Sequence, residues 1–183
     1  HVTGPSKVTS GDNVIHTTDA WLNSKTNQSQ LFGRSTIINK EKTITGDSLY
    51  HNSETGVNKG FGNVVFNDSL NKNALLCGHL EYNDKTGYGF ATQQALMKEF
   101  SQPDTLYVHA DTLKMYTYNI DTDSVYRVVH GFDKVKAYRR DVQAVCDSMV
   151  FTSIDSCLTL YRDPIAWSGE RQLLGDQMKI YMK

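Results

Sequence analysis

The chain has 183 residues, a 20.6 kDa mass and a formal net charge of −1, from 19 Lys and Arg against 20 Asp and Glu. So even a balance argues against a nucleic-acid binder, which carries a basic excess or stripe, and no run of about 18 apolar residues exists to span a bilayer as a helix. The hydrophobic content of 39%, regularly spaced, excludes a disordered chain. A chain of this size hides about 70% of its unfolded surface, so its core needs no cross-links. The three cysteines leave at least one thiol unpaired. A turn at Ser153 and Ile154 would put Cys157 opposite Val150, which argues against a Cys146–Cys157 bridge. The chain begins at His1 with no charged and apolar leader, as expected of a processed protein or an excised piece.

Taken from the N-terminus, one pattern recurs: a small residue, Asp, any residue, then Leu or Met. It reads Gly46-Asp47-Ser48-Leu49, Ala110-Asp111-Thr112-Leu113, Cys146-Asp147-Ser148-Met149 and Gly175-Asp176-Gln177-Met178. Thr18-Asp19-Ala20-Trp21 is a weaker copy. Gly78-His79 followed by Leu80 is a degenerate one, read with His for Asp and one residue lost. These anchors lie 28 to 36 residues apart, a loose period of about thirty that marks a stacked-repeat architecture.

Each unit follows one order. The anchor opens an alternating strand, a polar turn follows, then a second strand, then a third short strand that leads to the next anchor. The turns fall at 23–27, 52–56, 83–87, 119–122 and 153–156, where Asn, Asp and Gly tolerate positive φ or bond their own backbone. Within strands the period is two. Leu49, Leu80, Leu113, Met149 and Met178 hold one column, and two residues on stand His51, Tyr82, Met115, Phe151 and Ile180. The column between them is mixed: Tyr50, Glu81, Lys114, Val150 and Lys179. Second strands repeat the pattern in Val64/Phe66, Ala95/Met97, Val135/Ala137, Ile165/Trp167 and Thr36/Ile38. Residues at i and i+2 share a strand face, so these columns predict an all-β stack with one continuous apolar interior. The segment 91–100 is the best helix candidate, yet it fills a second-strand slot and is read as strand. Open strand edges at both ends would recruit further strands.

The Gly46-Asp47-Ser48-Leu49-Tyr50 run, the Asn/Asp–Thr-Gly turns and Gly62-Asn63-Val64-Val65-Phe66 resemble the OstA-like (LptA-like) family of periplasmic lipopolysaccharide-transport proteins. Cys146-Asp147-Ser148-Met149-Val150-Phe151 and Leu160-Tyr161-Arg162-Asp163-Pro164-Ile165-Ala166-Trp167 resemble its Bacteroidetes-type members. The resemblance covers the chain from about Asp19 onward. It implies a single domain over 1–183, a V-shaped β-jellyroll or solenoid-like stack of antiparallel strands, part of a longer precursor. It also implies a periplasmic, outer-membrane-associated protein that holds lipopolysaccharide acyl chains in its interior and joins like domains head to tail through edge strands. No enzyme activity, cofactor, nucleic acid or transmembrane segment enters that expectation.

The apolar columns are the candidate lipid groove. On the anchor strands these are Leu49, Leu80, Tyr82, Leu113, Met115, Met149 and Phe151. On the second strands they are Val64, Phe66, Met97, Val135, Ile165 and Trp167. Phe66, Tyr82, Phe151 and Trp167 are large enough to line an open rim, and thioethers such as Met97 suit an adaptable apolar surface. The plain alternative is a packed core whose side chains touch only one another. The repeated Asp residues would stand about 10 Å or more apart if each repeat adds two rungs, too far to share an ion. Corner chemistry, with Asp accepting backbone N–H groups, is the simpler expectation. Cys77 and His79, at i and i+2, would share a face but make only half a metal site. No nucleophile elbow, phosphate loop or paired carboxylates occur. Lys134, Lys136, Arg139 and Arg140 form the densest basic cluster, a solvated face or a contact for lipid phosphates. A ligand-free β-solenoid spacer and a carbohydrate-active solenoid are the alternative functions.

Overall fold

A computed structural model describes residues 1–120 and 122–181; Asp121 of the expected 119–122 turn lies outside the described residues. The strands are β1 (Val2–Ser10), β2 (Asn13–Asn23), β3 (Gln28–Asn39), β4 (Lys42–Asn52), β5 (Val57–Asp68), β6 (Asn73–Asn83) and β7 (Tyr88–Glu99). They continue as β8 (Leu106–Tyr118), β9 (Tyr126–Arg139), β10 (Val142–Thr152), β11 (Cys157–Tyr161), β12 (Ile165–Ser168), β13 (Arg171–Leu174) and β14 (Gln177–Tyr181). All fourteen form one antiparallel sheet in which each strand pairs with its sequence neighbour through β11. Among the described residues there is no helix; the 91–100 segment lies almost wholly in β7, as its slot predicts. β12 extends the line of β11, and β14 that of β13, so each pair makes one interrupted rung.

The expected third short strand does not exist as a separate element. It runs straight into the anchor strand, and each repeat is a hairpin of two long strands that bend in the middle. The bend is a line of bulges: the ladder slips at Thr45/Ser48, Phe61/Val64, Leu76/His79, Thr92/Ala95 and His109/Thr112. On alternate strands the bulge carries left-handed residues, Gly62 and Asn63, Gln93 and Gln94, Asp133 and Lys134, Arg162 and Asp163. Such bulges bend a strand and sharpen its twist. The sheet therefore folds over along the bulge line into two flaps. Tyr82 stands seven residues along β6 from Leu75, the ladder partner of Phe66, which is about 23 Å in a straight strand. The Phe66 and Tyr82 rings nevertheless lie 5.8 Å apart. Flap one holds the strand halves next to the turns at 23–28, 52–57 and 83–88; flap two holds those next to 39–42, 68–73 and 99–106.

The polar turns form as expected. Asn23, Asn52 and Asn83 each accept two backbone N–H groups through Oδ1 at 2.9–3.3 Å. Successive turns then bond to one another, Ser53 N–H to Asn27 and Asp84 N–H to Gly56, at 3.0 and 2.9 Å.

Candidate functional site

The trough between the flaps has a crease and a mouth. Leu49, Val64, Leu80, Val135 and Met149 fill the crease and are almost fully buried. Glycine on the neighbouring strand makes room for them: a Cβ on Gly131, the ladder partner of Met149, would stand 3.0 Å from Met149 Cγ. Nearer the mouth the packing is incomplete. A cavity of about 230 Å³ is walled by Phe66 and Met97 from flap two and by Leu113, Met115 and Phe151 from flap one. Leu75, Ala91 and Val129 complete its apolar wall, and Arg127, Asn71 and Ser153 stand at its rim. Tyr82 and Phe66 border a second space of about 30 Å³. Towards the C-terminal end lies an open groove of about 690 Å³ lined by Trp167, Met178 and Ile180 among others.

Of the predicted groove residues, then, Phe66, Met97, Leu113, Met115 and Phe151 meet at one cavity. Leu49, Val64, Leu80, Val135 and Met149 lie beneath it as packed core. Ile165 and Trp167 depart from their column: Pro164 and Ala166 take the buried positions and Ile165 and Trp167 are half-buried flanks. The left-handed pair Arg162 and Asp163 occupies the place of Gly62 and Asn63, which aligns Pro164 with Val64. Thr36 and Ile38 are out of phase too: the ladder slips between Phe32 and Ser35 at left-handed Gly33, and Ser35 and Ile37 are the buried positions. Sequence reading missed Leu75, Ala91 and Val129, which extending the columns across each bend would have found. It also missed Arg127, for which no periodic signal exists.

The anchor motif proves to be the crease itself, with two copies misaligned. His79 stands opposite Phe61 as Ser48 does, so Gly78, not His79, takes the Asp position and no residue is lost. Asp19 likewise matches Ser48, since both face Phe32, and Thr18 takes the Asp position. Asp47, Asp111 and Asp147 accept side chains rather than backbone N–H groups. Asp47 receives Asn63 Nδ2 at 2.7 Å and Arg34 Nη1 at 3.0 Å. Asp111 receives Lys134 Nζ at 3.0 Å and Asp147 receives Arg162 Nη1 at 2.9 Å. Asn63 first, then Arg34, holds the exposed Asp47 carboxyl below its ordinary value. The bulge also turns His79 away from buried Cys77, against Phe61 at 4.6 Å between ring centroids, so the two do not share a face. Among the described residues no cluster of three His, Cys, Asp or Glu could hold a metal. In the basic cluster, Arg139 donates from Nε and Nη2 to the two carboxylate oxygens of Asp141 at 2.6 and 2.8 Å.

Cys157 sits opposite Thr152, not Val150, because the turn at 153–156 has four residues and ends on left-handed Ser156. All three cysteines are free. Burial pushes the Cys77 thiol up to about 12 and that of Cys146 to about 11.

Three ties cross the mouth. Asn13 Nδ2 donates to His51 Nε2 at 3.2 Å, and His51 Nδ1 donates to Asn58 Oδ1 at 2.7 Å. Phe66 meets Tyr82, with Lys42 Nζ 5.5 Å from the Tyr82 ring centroid. Arg127 Nη2 reaches Asp68 Oδ2 at 3.4 Å.

No protein-family model and no curated protein matches the chain. Among solved structures the chain is similar to LptH of Pseudomonas aeruginosa, described as the LptA-homologous periplasmic component of the lipopolysaccharide transport device. The identity is 12%, over 89% of this chain and 93% of that one, with a TM-score of 0.35.

Proposed function

We propose that the trough carries the acyl chains of lipopolysaccharide, or of a related envelope lipid, across the periplasm without catalysis. The observation that carries this reading is an apolar interior running from Ile15 in β2 to Met178 in β14 that is left unfilled at two places along its length. Burying ten methylenes of an acyl chain there would gain roughly 8 kcal/mol gross. The sugar and phosphate head would stay outside in water. The motif resemblance of the sequence supports the same reading. Residues 1–183 act in it as one domain of a row, joined to like domains through the outer edges of β1 and β14, which among the described residues pair on one side only, with β2 and β11.

The alternative is a ligand-free spacer. It is favoured by the crease, where Leu49, Leu80 and Met149 leave no room for a guest. A photo-crosslinking amino acid at Phe66 or Phe151 separates the two. Lipid carriage requires adducts with lipopolysaccharide in cells from both positions and none from Phe132 on the outer face. Adducts with protein alone would leave the spacer.

A further inference from the structure

At the rim of the inner cavity Arg127, which borders it, reaches Asp68, which lies just outside its lining, on the opposite flap and 59 residues away. Both ends are mounted independently of each other. Asn71 donates its backbone N–H to Asp68 Oδ1 at 3.0 Å and its Nδ2 to Oδ2 at 2.7 Å. The Arg127 backbone is tied to Ser153, by its N–H to Oγ at 2.9 Å and by its carbonyl to the Ser153 N–H at 3.0 Å. The guanidinium alone spans the gap. Asp68 is 2% exposed and Arg127 19%, yet they meet through one N–H at 3.4 Å, longer than the roughly 2.7–2.9 Å of a well-made charge-assisted bond. Breaking the contact leaves Asp68 with both Asn71 donors and returns the guanidinium to water. The usual cost of separating a buried ion pair is therefore reduced.

The walled part of the cavity has a defined capacity. At about 230 Å³ it exceeds the ~150 Å³ of an apolar hole that accepts one benzene. It falls below the ~300–1,000 Å³ of sites that enclose a drug-sized ligand. One slender chain fits; several side by side do not, unless the flaps part. We propose that the Asp68–Arg127 pair is a latch that sets which lipids the trough accepts: a single-chain amphiphile when closed, a multi-chain glycolipid when open. Arg127 is thus a specificity-determining residue. This rests on the lipid-carriage reading for its ligands, but not for its motion.

The test has two arms. Spin labels at Lys72→Cys and Ser124→Cys, on the two turns that carry the latch, report the width of the mouth after the three native cysteines are replaced by Ala. The unmutated latch and Arg127→Lys, which keeps the charge, give one narrow distance. Arg127→Met adds a longer population, and Arg127→Gln does the same if the Met variant folds poorly. In the second arm, Arg127→Met raises binding of purified multi-acyl lipid A at least threefold and changes binding of a fluorescent fatty acid less than twofold. An unchanged distance distribution in both Met and Gln variants overturns the latch. So does equal lipid A binding with and without the guanidinium in a chain that binds the fatty acid. If the distances shift while no variant binds either lipid, the latch stands as a moving part and the carriage reading fails.

Discussion

Gly62 in β5 lies directly against Asp47 in β4: a Cβ at Gly62 would stand 2.7 Å from Asp47 Oδ2, and its φ is +71°. This relation makes one of the bends, because the left-handed bulge at Gly62 turns the strand while Asp47 ties the turn to Arg34 and Asn63. Gly62→Ala meets both a backbone penalty and a collision. It is expected to lose about 1–3 kcal/mol, the range for a strained left-handed residue, read from urea unfolding. Gly169→Ala is the control, with φ of +59° but open space around it. It should lose only the left-handed penalty of roughly 1 kcal/mol, and equal losses at both positions would show that the Asp47 contact is not limiting.

At β6 the same crease is built in reverse. Gly78 occupies the Asp position, and Gln93 on β7 fills the space: a Cβ on Gly78 would lie 2.7 Å from Gln93 Cβ. Gly78→Asp alone should therefore destabilise by about 1–3 kcal/mol through overpacking. Adding Gln93→Gly restores the Asp-against-Gly arrangement and should recover most of the loss, a coupling of 0.5 kcal/mol or more in a double-mutant cycle. Strict additivity of the two changes would refute the equivalence of Gly78 with Asp47.

These creases explain what was readable from the sequence. The columns Leu49, Leu80, Leu113 and Met149 were visible because alternation is unbroken between a bend and the next turn. Phase across a bend was not visible, since each bulge adds residues that face neither side. Hence the i, i+2 alternation points Ile165 and Trp167 inward, whereas Arg162 and Asp163 shift the phase and bring in Pro164 and Ala166. Hydrophobicity ranks Trp above Ala; backbone geometry overrules it. The Arg127–Asp68 tie was out of reach because it joins residues 59 apart through the folding of the sheet, which no local pattern encodes.

Asp47 gives a pH dependence of known sign. Its hydrogen bonds from Asn63 and Arg34 depress the folded-state carboxyl below 3.8. A carboxyl depressed on folding contributes stability that is fully present above its unfolded value and lost as the pH falls through the folded one. Urea midpoints of the unmutated chain and Asp47→Asn should differ by a constant amount near neutrality. The gap should narrow as the pH drops below 3.8, because protonation removes the interaction that the variant lacks already. A gap that widens in acid would contradict the assignment.

The thiols supply a check on closure. Burial holds Cys77 near 12 and Cys146 near 11, so at pH 8 the Cys77 thiolate is ~10³-fold scarcer than at an ordinary thiol near 9. A thiol-specific chromogenic reagent should react slowly with the folded chain and with all three cysteines in urea. Fast reaction of Cys77 or Cys157, the two buried thiols, in the folded chain would mean that the crease opens without unfolding.

Ala91 separates cavity from core most directly. It is buried, yet it borders the empty space below Arg127. In a spacer that space is a packing defect, and Ala91→Leu, by filling it, should add about 0.5–2 kcal/mol at no functional cost. In a lipid carrier the same methyl groups occupy the place of an acyl chain. Ala91→Leu should then raise the urea midpoint and lower fatty-acid binding together, by tenfold or more, whereas Ala95→Ser, away from the cavity wall, should leave binding unchanged. Stabilisation without loss of binding would place the lipid elsewhere. Destabilisation by Ala91→Leu would mean that the walls are too rigid to accept even one added side chain, and a guest would need the mouth to open first.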